Sequence, residues 1–255
     1  MTKQKHLKQR IRARVAQTGE RYTTARRHIV GSSAVSGSDT APPAPGQLYF
    51  PGIHPETTAL RILLANAGVR APHTGEHFTE PMVFGIGGGI GAGVFSFFYE
   101  AHDFASFYIA GRHLWQDNRT YLDQAAQRFG VTPTFKETGG AKTAAKQLAD
   151  ALAAGGPVLA WVASAHLPYR GLPDYWSGGD YHVVTVYHLD ETHALLGDLL
   201  DEPVEITAAE LAASRARIKK QKHRIMTVAP TQQLDLRAAV RAGIRACYEG
   251  LTQQR

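Results

Sequence analysis

Apolar positions predict a series of short helices and strands from about residue 47 onward. Leu60, Leu63 and Leu64 recur at helical spacing within residues 56–67, and Gly68 follows as a C-terminal cap. Helices early in the chain and a run of strands late in it favour an α+β fold. The same spacing rules predict further helices over residues 119–129, 142–154 and 234–250, and another helix that begins at a capping box of Thr207 and Glu210. They predict strands over residues 105–110, 131–136, 157–163, 181–187, 193–197 and 224–228.

One uncharged stretch, residues 82–99, is as long as a short membrane span. Six of its 18 residues are glycine and no basic flank follows, so we favour a buried glycine-rich loop and strand. The run Gly85–Gly91 also lacks the long preceding strand and following helix of a dinucleotide loop. We therefore predict a tight turn where backbone segments pass closely.

Charge is concentrated at the N-terminus. Residues 1–30 hold nine Lys or Arg and one acid, net +8, so the overall charge of +6 leaves −2 for the remainder. This distribution argues against the whole protein being a nucleic-acid binder. Residues 31–46 consist mostly of Gly, Ser, Ala, Pro and Thr, which is typical of a linker. The first twenty residues contain no apolar signal stretch, so we expect a cytoplasmic protein.

The number and position of cysteines and histidines exclude several kinds of site. A single cysteine excludes a disulfide framework and a multi-cysteine metal site. Cys247 falls within a predicted helix, which favours a small core residue over a nucleophile. His73 and His77 flank a Thr-Gly-Glu loop, where surface residues are favoured over a metal pair. We expect neither a metal nor another cofactor.

A histidine and an aspartate form the best candidate for chemistry. His182 opens an apolar strand, and Asp198 closes the next strand sixteen residues later. Antiparallel pairing of the two strands would bring the carboxylate to the imidazole, which is the base-and-orienter half of a nucleophile–His–acid triad. An ordinary strand histidine and a hairpin aspartate would give the same spacing, and this alternative stays open.

Several motifs together resemble a known family. They are His54-Pro-Glu-Thr-Thr-Ala-Leu-Arg61, Phe84-Gly-Ile-Gly-Gly-Gly-Ile-Gly91, Gly179-Asp-Tyr-His182-Val-Val and Gly197-Asp198. In this order they resemble the butirosin biosynthesis protein H N-terminal family, over roughly residues 47–230. The resemblance implies a single papain-like domain of the α+β class, here with a basic N-terminal extension and a C-terminal helix over residues 231–255. It also implies an acyltransferase that moves an aminoacyl group from a carrier-protein thioester.

The resemblance also implies a site, from which this sequence departs. His182 would be the base and Asp198 its orienter, beside the start of the first helix, and Gln47 would be an oxyanion donor. The nucleophilic cysteine follows the first motif's histidine in the family, but here that position is Pro55. Proline suits the first position of a helix but has no nucleophilic atom. The residues predicted to line the acyl site are Gln47, His54, Glu56, Thr57, Gly87, Gly88 and Gly89.

Three functions follow as hypotheses. In the first, the protein belongs to specialised metabolism and binds an acyl or aminoacyl group without thiol chemistry, with an acyl carrier protein or a small acyl acceptor as partner. In the second, it is an active acyltransferase or hydrolase that uses His182 and Asp198 with water or a hydroxyl such as Thr57 or Thr58. In the third, residues 1–30 bind nucleic acid or another acidic partner. We expect no membrane partner.

Overall fold

The computed structural model describes Arg12 and residues 46–99, 104–112, 117–172, 181–230 and 233–252. The predicted basic segment and linker therefore lie almost wholly outside the described residues, and their roles stay predictions. None of the helices in the described part of the chain is long and apolar enough to cross a membrane.

Six helices and eight strands are described. The helices are α1 (Pro55–Asn66), α2 (Glu80–Ile86), α3 (Asn118–Arg128), α4 (Ala141–Ala153), α5 (Ala208–Arg217) and α6 (Leu236–Thr252). The strands are β1 (Ile90–Tyr99), β2 (Phe104–Arg112), β3 (Val131–Lys136), β4 (Val158–Ala163), β5 (Tyr181–Leu189), β6 (His193–Gly197), β7 (Val204–Thr207) and β8 (Ile225–Pro230). Short 3₁₀ turns span Ser164–His166, Pro168–Arg170 and Lys219–Gln221.

The main sheet is antiparallel and has six strands in the order β3-β8-β4-β5-β6-β7. β1 and β2 pair separately as a two-stranded antiparallel sheet. Every residue of β4 is buried, because helices cover this central strand on both sides. The predicted α+β class is thus confirmed.

Each face of the sheet packs on different helices, since side chains alternate along a strand. Trp161 and Val183 point towards α1 and share a buried cluster with Leu60 and other residues of that helix. Their strand neighbours Val162 and Val184 point the other way, into a second cluster. That cluster contains Leu148 of α4 and Leu211 of α5.

α1 is almost wholly buried, and its start is fixed by side chains. The His54 ring accepts a hydrogen bond from the Thr57 backbone N–H, and Pro55 occupies the first helical turn, where its missing N–H costs nothing. The Glu80 carboxylate accepts from the backbone N–H groups of Ile53 and His54 and from the Thr58 hydroxyl. The helix start is therefore held rigidly from both sides.

The predicted tight glycine turn is confirmed, and the residues before it form the helix α2, which the pattern did not predict. A side chain at Gly87 would lie 2.8 Å from the Val83 carbonyl oxygen, and one at Gly89 would lie 2.6 Å from the Phe84 ring. Gly88 adopts a positive φ of 75°. The turn sends the chain from α2 directly into β1.

α6 packs closely on α2 through small residues. Ala239, Gly243, Ala246 and Gly250 are its buried positions. A Cβ at Gly243 would lie 2.6 Å from the Gly85 carbonyl oxygen and 2.7 Å from the Ile86 backbone. Backbone atoms cannot move aside as a flexible side chain can, so only glycine fits at this contact.

We predict that Gly243→Ala destabilises the protein by roughly 1–3 kcal/mol, because overpacking against backbone outweighs the better helix propensity of alanine. Gly85→Ala is the matched control, since a Cβ at this helical glycine meets no atom within 4 Å. Urea unfolding of both variants measures the difference. Equal stabilities would mean that α6 does not pack on α2 as described.

Candidate functional site

Two polar clusters lie on opposite faces of the central strands. The first surrounds the N-terminal ends of α1 and α3, where the positive ends of both helix dipoles come together. Its buried carboxylate is Glu56, which is only 4% exposed. The second cluster surrounds Asp198, which is also buried.

A chain of hydrogen bonds holds Glu56 in the first cluster. The Trp161 indole Nε1 donates to Asn118 Oδ1 over 2.9 Å, and Asn118 Nδ2 donates to Glu56 Oε1 over 3.1 Å. The other carboxylate oxygen lies 3.7 Å from His54 Nε2. These contacts compensate the cost of burying a carboxylate next to the sheet.

His54 and Thr57 form the other half of the first cluster. His54 Nδ1 lies 2.7 Å from Thr57 Oγ1 and 3.3 Å from the Thr57 backbone nitrogen. A backbone N–H can only donate, so Nδ1 is the acceptor and the ring proton is on Nε2, towards Glu56. The Thr57 hydroxyl also lies 3.3 Å from the Tyr121 hydroxyl. Thr57 is completely buried, so no substrate reaches its oxygen in this structure.

The most exposed residues at the start of α1 are apolar. Ile53 is 77% exposed, Pro51 is exposed, and Pro55 is partly exposed. These residues surround the position where the family resemblance places a cysteine. Glu56 and Thr57 are buried beneath this surface, whereas the His54 side chain is 20% exposed.

In the second cluster, His182 and Asp198 are in direct contact, with His182 Nε2 2.7 Å from Asp198 Oδ1. The predicted contact between these side chains is therefore present, whereas their catalytic role stays a prediction. Asp198 Oδ1 also accepts from the Leu199 backbone N–H, and Oδ2 accepts from the Tyr169 hydroxyl and from Arg170. The carboxylate thus has four donors.

These donors control the ionisation of Asp198. Burial alone would raise the pKa of this carboxyl, but hydrogen bonding and charge from His182, together with Arg170 and Tyr169, lower the pKa to about 2. The group is therefore ionised at neutral pH. His182 Nε2 lies 2.7 Å from this carboxylate and 2.9 Å from Arg170 Nη1. Neither contact engages Nδ1, the other ring nitrogen.

The two clusters lie on different faces of the sheet. His182 pairs directly with Val162, whose side chain packs on the side of α4 and α5, whereas α1 covers the face of Trp161 and Val183. The expected position of His182 beside Pro55 is therefore not found. The physical reason is the strand pleat, which gives neighbouring residues opposite faces.

Gln47 also lies away from the expected site. Its neighbour Leu48 exchanges two hydrogen bonds with the Asn66 side chain at the C-terminal end of α1. A helix of 12 residues is about 18 Å long, so Gln47 lies near the end opposite Pro55. The expected role of Gln47 as oxyanion donor at Pro55 has no support in this geometry.

The remaining predicted residues border the first cluster or build it. His54, Glu56 and Thr57 belong to it, as described above. A side chain at Gly87 would lie 2.9 Å from the Tyr121 hydroxyl, and one at Gly88 would lie 2.7 Å from Ala246 of α6. The glycine turn therefore lets α2 approach α3 and α6, which is a packing role.

Sequence reasoning missed the residues that complete both clusters, which are Glu80, Asn118, Tyr121, Trp161, Tyr169 and Arg170. Asn118 lies at the start of a correctly predicted helix, but its hydrogen bonds to the distant residues Glu56 and Trp161 could not be predicted from local pattern. Tyr169 and Arg170 belong to a short 3₁₀ turn that shows no periodic signal.

We predict that Asp198→Asn lowers the free energy of unfolding by roughly 2 kcal/mol at pH 7. The pKa of Asp198 is lower in the folded protein, so its stabilisation is present above the unfolded value near 3.8 and is lost as pH falls through about 2. The difference between variant and parent should therefore shrink between pH 5 and pH 2 in urea unfolding. Asp150→Asn, at an exposed ion pair with Lys146, is the control. A difference independent of pH would contradict the assigned ionisation.

A comparison with known proteins identifies the family of this chain. The family model described as butirosin biosynthesis protein H, N-terminal, matches residues 54–199. The match begins at His54 and ends just after Asp198, so it contains both polar clusters. No curated protein matches the chain. Because the matched residues make up more than half of the sequence, the chain belongs to the butirosin biosynthesis protein H N-terminal family.

Proposed function

We propose that this protein binds an acyl or aminoacyl group at the start of α1 and acts in antibiotic biosynthesis without a thiol nucleophile. The observation that carries the proposal is the partly exposed Pro55 at the first position of α1. The helix start and its apolar surroundings are retained, but no sulfur is present there. Binding, rather than covalent catalysis, is the function that this surface supports.

The location of Cys247 supports the same conclusion. It is the only cysteine of the chain and lies on α6. Its Sγ is 3.8 Å from the Gly85 carbonyl oxygen, in the contact between α6 and α2. A thiol activated for catalysis needs a neighbouring base or a positive dipole end. Cys247 lies between two packed helices, beside a carbonyl acceptor and near Arg128, and not at the start of α1.

The surface at Pro55 suits an acyl group in two ways. Pro51, Ile53 and Pro55 offer apolar contact for a hydrocarbon chain, while the positive end of α1 attracts the partial negative charge of a carbonyl oxygen. Glu56 and the other buried polar groups are already satisfied, so a ligand need not pair with them. A central helix packed on an antiparallel sheet also agrees with the papain-like architecture that we propose.

A second candidate function rests on His182 and Asp198. Their contact is short and does not engage His182 Nδ1, so Nδ1 would accept a proton from a water that hydrolyses an acyl ester. This reaction would take place on the side of α4 and α5, away from Pro55. The third hypothesis, nucleic-acid binding by residues 1–30, falls outside the described residues and stays a prediction.

Binding can be tested with a simple acyl thioester of N-acetylcysteamine. We expect saturable NMR shifts at the amides of Ile53, His54 and Glu56, and no added mass on the intact protein. Ile53→Asp should weaken binding about tenfold, because an apolar contact is lost. Ile244→Asp is a matched control, since this isoleucine on α6 is 64% exposed. A covalent adduct, or the absence of shifts near Pro55, would contradict the binding proposal.

The thioester also tests the second candidate. If His182 and Asp198 catalyse hydrolysis, the wild-type protein should release the free acid, and His182→Asn should abolish release while leaving the shifts near Pro55 unchanged. No release by the wild type would eliminate this candidate. Release that survives in the His182→Asn variant would also eliminate it.

A thiol placed at position 55 tests the separation of the two clusters. In a Cys247→Ser background, Pro55→Cys should react with iodoacetamide faster than a free cysteine does, because the helix dipole lowers its pKa below about 8.5. Adding His182→Ala should not change this rate, since His182 lies on the other face of the sheet. A large loss of reactivity in the His182→Ala variant would show that the two residues do face each other.

A further inference from the structure

Arg215, in the last turn of α5, is a buried cation without an anionic partner among the described residues. It is only 4% exposed. Nη2 donates to the His223 carbonyl oxygen over 2.9 Å, and Nη1 lies 3.5 Å from the Ala144 carbonyl oxygen. Nε has no hydrogen-bond partner in the described part of the chain. Burying an arginine is unfavourable unless an anion compensates it, so this arrangement points to a missing negative charge.

The chain next to Arg215 is strained. Lys222 and His223 both adopt positive φ angles, 47° and 49°, which non-glycine residues rarely adopt. The turn is held by hydrogen bonds from the Thr138 backbone N–H to the Lys222 carbonyl oxygen and from Arg215 to that of His223. Strained backbone that the surrounding structure maintains is characteristic of functional turns.

The same turn is surrounded by positive charge. Residues 211–234 contain six Lys or Arg and no Asp or Glu. Four of these cations are exposed, namely Arg217, Lys219, Lys220 and Lys222. Burial lowers the pKa of His223, and the charge of Arg215 lowers it further. The Glu137 carboxylate lies beside this turn and is engaged with Arg224 and Arg119. An anion in the turn would therefore meet several donors.

We propose that residues 219–223, together with Arg215, form a binding site for a phosphate-type oxyanion. The planar guanidinium and the imidazole donate in fixed directions, which suits an oxyanion with several acceptor oxygens, and the exposed lysines add attraction at the rim. Because Arg215 is buried, an anion would reach it only after residues 219–223 move aside. This site is distinct from the acyl site at Pro55 and does not depend on it.

NMR of the full-length protein provides the test. Sodium phosphate is titrated at constant ionic strength, and the amides of residues 219–224 are followed individually, which separates them from the basic residues 1–30. A parallel titration with dimethyl phosphate distinguishes a phosphomonoester or free phosphate from a phosphodiester as the ligand. Tighter binding of phosphate indicates a phosphomonoester or free phosphate, and equal binding indicates a phosphodiester backbone.

The expected result is saturable shifts in residues 219–224 and a higher pKa of the His223 ring when phosphate is bound. The double variant Lys219→Gln/Lys222→Gln should weaken binding about tenfold or more, because charge-assisted contacts are lost. The control Arg237→Gln/Arg241→Gln removes two exposed cations of α6 and should leave binding unchanged. Arg215→Lys, which keeps the charge but not the planar fork, should also weaken it.

Two results would overturn the proposal. One is the absence of saturable shifts in residues 219–224 with either phosphate compound, which would leave Arg215 as a structural clamp of the turn. The other is equal weakening by the α6 control, which would show attraction to overall charge alone. If Arg215→Lys does not fold, the lysine variants still decide between these outcomes.

Discussion

The structure depends on the burial of one strand on both of its faces. All six residues of β4 are buried, and their side chains point alternately towards α1 and towards α4 and α5. This alternation assigns every neighbouring residue of β5 to one helical layer or the other. Trp161 therefore lies over the start of α1, whereas His182 lies on the face that packs on α4 and α5. The separation of the two polar clusters is a direct result of that strand.

Three buried charges show three different solutions to desolvation. Asp198 is stabilised by four donors, and its pKa falls as a result. Glu56 receives an amide donor and a nearby imidazole, at the positive end of a helix. Among the described residues, Arg215 has only carbonyl acceptors, which are weak partners for a full charge. The described contacts compensate the charges of Asp198 and Glu56 but not the charge of Arg215. This contrast is the reason to look for a ligand at Arg215.

Much of the fold could be predicted from local pattern, because local pattern sets helix and strand type. The bounds of β3 and β6 agree with prediction, and the Thr207–Glu210 capping box is present. α2 and β7 were missed, because seven and four residues carry too little periodicity. The pairing of His182 with Asp198 followed from strand order. The face of the sheet on which His182 and Asp198 lie could not be predicted, since family motifs identify residues but not the direction in which a strand side chain points.

Tyr49, just before α1, ties the start of the domain to the far end of the sheet. Its hydroxyl bonds the carbonyl oxygens of Asp198 and Leu200, and the Tyr187 hydroxyl bonds the Leu48 carbonyl oxygen. The first of these contacts joins residues 149 positions apart. During synthesis α1 therefore leaves the ribosome long before its partner strands exist, with its apolar residues uncovered. The domain closes late, so slow translation of β5 and β6 would prolong the period in which the apolar residues of α1 are exposed.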